Sequence, residues 1–155
     1  MIQEFIPYQQ ALELKKLGFD EPCFAYYDEE DNTGQIYEYA NCSGNVTSDK
    51  ACYNDDFLSV TNSQLDKYGA FCSKDEEGEE SYERWTAPTY SQAFRFFREK
   101  YGYLVSPFQN ENNLFFFEIG KLNTLKTEHY SKDWETYEDA EISCLVKLIE
   151  IVKTK

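Results

Sequence analysis

Basic residues are scarce in this chain: 15 Lys and Arg stand against 29 Asp and Glu, a formal net charge of −14. Such a chain is repelled by nucleic-acid backbones and anionic membrane surfaces within about one Debye length, ~8 Å at physiological salt. Direct binding along a DNA or RNA backbone is therefore excluded, and so is attachment to a membrane surface. No apolar run approaches the ~20 residues that span a bilayer. The first residues, MIQEFIPYQQ, hold Glu4 and Pro7 and contain no basic stretch followed by an apolar one. The expectation is a protein that stays soluble in the compartment where it is made.

Other shortages remove whole classes of chemistry. The seven glycines never assemble a phosphate-cradling loop. His129, in KTEHYS, is the only histidine; it lies on an expected strand without the context of a nucleophile–base pair and reads as structural. The five cysteines, Cys23, Cys42, Cys52, Cys72 and Cys144, are odd in number and show no C-x-x-C spacing. They are expected to be free and mostly buried thiols. Cys42, Cys52 and Cys72 with His129 have no short ligand spacing for zinc. Asp28-x-Glu30-x-Asn32 opens like a calcium loop, but Thr33 stands where the tight-turn glycine belongs and Tyr39 where the bidentate acid belongs. No metal and no other cofactor is expected.

Aromatic rings are abundant: 13 Tyr and 12 Phe in a chain that is 41% hydrophobic. That content is too apolar for a disordered chain, despite a mean hydropathy of −0.69. A length of 155 residues suits a single domain, 1–155, with a core built largely from rings.

Periodicity and punctuation place the elements. Pro7, then YQQALELKKL and Gly18, predict a helix over 7–17 that ends in a Schellman cap, with Phe19 folding back on Leu14. CFAYY (23–27) and QIYEYA (35–40) predict a strand pair. An irregular excursion follows over about 41–83, with a short helix in DDFLSVTNSQLDKYGAF and six acids between Asp75 and Glu83 that read as a solvated loop. The segments 103–106, 113–120 and 125–131 predict further strands. Thr136, followed three residues later by Asp139, predicts a capped helix over 136–153 whose stripe of Tyr137, Cys144, Leu148 and Ile151 is widened by Leu145, Ile149 and Val152. The fold class is α+β: a small antiparallel sheet with three helices packed on it.

The middle one of those three helices, over 89–101, carries the basic island. In APTYSQAFRFFREKYG (87–102), Tyr90, Phe94, Phe97 and Tyr101 fall on one stripe of a helix over 89–101, ended by Gly102, and are expected in the core. Phe96 lies about 120° away, so either the helix is covered on two sides or that ring is exposed. Arg95 and Arg98 are surface neighbours. They can simply pair with the abundant carboxylates. The sharper alternative is that Arg84, Arg95, Arg98 and Lys100 read an anionic ligand, guanidinium forks suiting phosphate and carboxylate groups, with Trp85 as a ring that stacks on a base.

Three stretches, FIPYQQALELKKLGFDEPCFAYY, APTYSQAFRFFREKYG and TYEDAEISCLVKLIEIVK, resemble those of an uncharacterised family of small acidic proteins found in Bacteroides-type gut bacteria and their tailed phages, including crAss-like phages. The resemblance covers both ends and the 87–102 segment and misses the middle; Phe96 stands where the family pattern has Trp. It implies a phage or mobile-element accessory protein acting inside the bacterial cell and carries over no catalytic residue. The expected function is a non-enzymatic binding protein, a counter-defence or host-takeover factor that engages a protein partner or a small anionic ligand. Its alternatives are a structural component of a phage particle and a small metal-dependent hydrolase.

Overall fold

A computed structural model of the chain describes residues 4–28, 36–38, 59, 61–69, 84–124 and 127–154. The α+β class is observed: among the described residues are helices and two antiparallel sheets. The strands anticipated in one sheet are thus divided between two. The chain forms two compact units, Met1–Thr89 and Tyr90–Lys155.

In the first unit, helix α1 (Tyr8–Lys16) starts one residue later than expected, with Pro7 extended at the N-cap position and making no side-chain cap bond. It closes as its sequence predicts: Gly18 adopts φ 82°, its N–H donates to the Lys15 carbonyl at 2.8 Å, and the Phe19 N–H donates to the Leu14 carbonyl at 3.0 Å. These are the two bonds of a Schellman motif, and the Leu14 and Phe19 side chains it brings together are both buried. Strands β1 (Ala25–Asp28), β2 (Ile36–Glu38) and β3 (Arg84–Thr86) form a sheet in the order β2-β1-β3. Cys23, Ala25 and Tyr27 point into the core while Phe24 is exposed, the alternation of a half-covered strand. Strand β3 had no signal of its own, since RWT is too short for a period.

Helix α2 (Asn62–Gly69) starts with a capping box: the Gln64 N–H donates to Thr61 Oγ1 at 3.2 Å, and the Thr61 N–H donates to Gln64 Oε1 at 2.9 Å. Asn62, almost fully buried, ties three segments together by donating from Nδ2 to the Phe19 carbonyl (2.7 Å) and accepting from the Thr86 N–H (2.9 Å). The Tyr27 hydroxyl donates to the Ile6 carbonyl at 2.6 Å. Most of the excursion over 41–83, including the acidic stretch 75–83 and Cys42, Cys52 and Cys72, lies outside the described residues.

The second unit runs α3 (Tyr90–Tyr101), β4 (Tyr103–Gln109), β5 (Phe115–Lys121), β6 (Thr127–Tyr130) and α4 (Tyr137–Lys153), with sheet order β4-β5-β6. Helix α4 packs on β5 and β4, and α3 on β4 and α4. Thr136 caps α4 as anticipated, accepting from the Asp139 N–H at 3.1 Å. Its buried face is Ala140, Cys144, Leu145, Leu148, Ile149 and Ile151, whereas Tyr137, expected on that face, is exposed.

The phase of α3 also differs from expectation. Its buried residues are Ala93, Phe96 and Phe97, while Tyr90, Phe94 and Tyr101 are half-buried. The covered face is therefore turned roughly 80° toward Phe96 from the four-ring stripe. Ala93, fully buried, belongs to the covered face, and an alignment of rings alone does not register a residue so small. Phe96 packs edge-to-face on Phe97 and Tyr101 at 5.5 and 5.7 Å. Chemical denaturation should show Phe97→Ala losing about 3–5 kcal/mol, Phe94→Ala distinctly less, and Arg95→Ala under about 1 kcal/mol. Equal losses at Phe94 and Phe97 would contradict this phase.

Candidate functional site

The residues singled out from sequence are dispersed. Arg84 lies on β3 of the first unit; its guanidinium is 5.9 Å from the centre of the Tyr26 ring and its carbonyl accepts from Lys15 Nζ at 3.0 Å. Trp85 is buried, with the Tyr8 ring against it at 4.6 Å in an edge-on arrangement. It is a core ring, and the exposed stacking platform expected of it is not present. Arg95, Arg98 and Lys100 are exposed on α3 in the second unit. Lys100 Nζ sits over the Phe96 ring at 5.2 Å. The Arg98 guanidinium is 3.8 Å from Glu99 Oε1, an exposed ion pair worth about 0–1 kcal/mol.

Of the five, Arg98 lines a cavity. This pocket of about 110 Å³ lies within the second unit. Phe94 and Arg98 form its α3 wall, and Tyr103, Leu104, Val105 and Pro107 its β4 wall. Phe117 of β5 supplies a further ring, while Tyr137, Ala140, Glu141 and Cys144 come from α4. Each wall follows from local geometry. On α4, Tyr137, Ala140, Glu141 and Cys144 are three or four apart and share a face. On β4, Tyr103, Val105 and Pro107 alternate onto the helix-covered side of the sheet.

Glu141 is the electrostatic centre of the pocket. Burial raises its carboxyl pKa above the ordinary value, as does the nearby Glu138; the Tyr137 hydroxyl, which donates to Oε1 at 3.4 Å, works in the opposite direction. The Tyr137 phenol is raised, first by burial and then by Glu141. Tyr90 is pushed up to about 12, again by burial first and Glu141 second. Burial, helped by Glu141, also raises the Cys144 thiol. Cys144 is therefore held as a neutral thiol at neutral pH, the opposite of what a nucleophile or thiolate ligand needs. The pocket is an apolar well with one carboxylate on α4 and one guanidinium on α3.

Among the described residues no group of three or more His, Cys, Asp or Glu side chains is arranged to hold a metal ion, and no helix is long and apolar enough to cross a membrane. Comparison of the chain with protein-family models, with curated proteins and with solved structures finds no match.

Sequence reasoning found Arg98 and missed Glu141 and Tyr137 as partners in one site. A signal was there: an acid four residues after a tyrosine and three before a buried cysteine borders the apolar face of an amphipathic helix. The pKa direction gives a test. A carboxyl whose folded pKa is raised binds its proton more tightly when folded, so its ionisation destabilises the fold as pH rises above the ordinary value of 4.5. Glu141→Gln should raise the melting temperature at pH 7, and the gain should vanish below pH 4.5. Thermal melts across pH 4 to 8 check this; a gain independent of pH would refute the electrostatic cause.

Proposed function

We propose that the chain is a non-enzymatic binding protein that docks on a basic surface of a protein partner and seats one apolar side chain of that partner in the pocket of the second unit. Pocket size carries this reading. Sites for drug-sized ligands enclose about 300–1,000 Å³, and a cavity of about 150 Å³ accommodates a benzene ring. At about 110 Å³ the pocket suits one side chain and is too small to enclose a nucleotide. A narrow apolar well with charges at its wall is the form taken by the anchor positions of protein interfaces.

The charge of −14 supports a basic partner, since it steers encounter with a positive surface and discourages acidic competitors. Buried Cys144, held protonated, supports binding over covalent catalysis. The resemblance to acidic proteins of gut bacteria and their phages supplies the setting: an accessory factor acting in the bacterial cytoplasm, in counter-defence or host takeover.

Two variants test the pocket. Ala140→Leu fills it from α4, and Pro107→Asp places a charge at its wall from an exposed strand position. In affinity capture from host lysate, the wild type should recover one dominant basic partner at low salt and lose it as salt is raised. Both variants should lose that partner while keeping the wild-type melting temperature within a few degrees. Identical recovery by all three proteins would overturn the pocket reading.

A further inference from the structure

The strand that forms one wall of the pocket is also an edge of its sheet. In the order β4-β5-β6, β4 pairs only with β5. The register Tyr103↔Lys121 through Gln109↔Phe115, together with the bonds from the Leu122 N–H to the Gly102 carbonyl and from the Asn110 N–H to the Leu114 carbonyl, sets which way each peptide group points. Even-numbered residues exchange bonds with β5. Odd-numbered ones, Val105, Pro107 and Gln109 among them, turn their backbone groups toward the outer edge. Pro107 occupies one of these outward positions, where its missing N–H takes nothing from the ladder. Among the described residues no strand pairs with that edge. The side chains of the same odd residues point to the helix-covered face, and Tyr103, Val105 and Pro107 line the pocket.

Edge and pocket are therefore in register with each other, and we infer that β4 is a strand-addition site for an extended basic segment of a protein partner. This deepens the reading of the pocket given above and rests on it. A partner residue paired with Val105 would exchange both backbone bonds with it and direct its own side chain to the face where the pocket lies. Alternate residues would fall on the other face, which carries Leu104 and Glu118. The segment that fits alternates apolar residues, read by the pocket, with lysine or arginine, favoured by the charge of −14. A second copy of this chain is the poorer occupant, because two chains of that charge repel.

The probe is a synthetic peptide of about nine residues, with leucine and valine alternating with lysine, titrated into the full chain by calorimetry and by amide NMR. In the inferred register the amides of its apolar residues face β4 and those of its lysines face away. Backbone N-methylation of the apolar residues should weaken binding about tenfold or more, while N-methylation of the lysines should leave it nearly unchanged. The Val105 amide should gain protection from hydrogen exchange with the parent peptide. Equal effects of the two methylation patterns, or no binding of the parent peptide, would overturn strand addition. So would a dimer of the chain that buries the β4 edge. The lysate comparison of the wild type with Ala140→Leu and Pro107→Asp does not depend on the peptide, so the pocket reading can stand where strand addition fails.

Discussion

The candidate site depends on one backbone conformation. Gly102 ends α3 at φ 72°, its N–H donates to the Arg98 carbonyl at 3.1 Å, and its carbonyl accepts from the Leu122 N–H at 2.9 Å. The same residue thus stops the helix and begins the pairing of β4 with β5. Open space surrounds the position where a Cβ would sit, so the left-handed conformation, and not crowding, is what calls for glycine here. Because the turn occupies a single residue, α3 and β4 leave it as adjacent walls, and Phe94 and Arg98 come to face the same cavity as Tyr103 and Val105.

Around that turn, the second unit combines a dry interior with a conspicuous acid. Helix α4 buries Cys144, Leu145 and Leu148 and leaves Glu141, one turn earlier, partly covered at the pocket. This half-buried carboxylate has lost water without gaining an ion pair among the described residues, and its raised pKa expresses that deficit. Groups in this state are common where a ligand later supplies the missing partner.

The first unit is tied together by a different device, a buried amide with its bonds made, although Trp85 Nε1 and Thr86 Oγ1 are buried there without a hydrogen-bond partner among the described residues. Asn62 joins the turn after α1 to β3, and Lys15 reaches both Asp66 at 2.7 Å and the Arg84 carbonyl at 3.0 Å. Buried amides that satisfy backbone groups in two segments favour a single arrangement, because any slip leaves them unpaired at a cost of about 1–3 kcal/mol each. Arg84 and Trp85 belong to this framework: one presents its carbonyl to Lys15, the other packs on Tyr8.

By itself the sequence determined whatever rests on neighbours in the chain. Gly18, Gly102, Thr136 and Asp139 announce helix ends through local hydrogen bonds, and the aromatic-rich run CFAYY before the polar DEEDNTG announces a strand, because backbone sterics and turn chemistry act over a few residues. The α+β class follows from those elements. Only the tertiary structure decided which face of α3 is covered, that the strands divide between two sheets, that Trp85 is a core ring, and that Arg98 and Glu141 share a pocket. Those outcomes depend on contacts between segments far apart in sequence, where a small residue such as Ala93 can lie on the covered face without any ring to announce it. No local period encodes which distant surface will meet it.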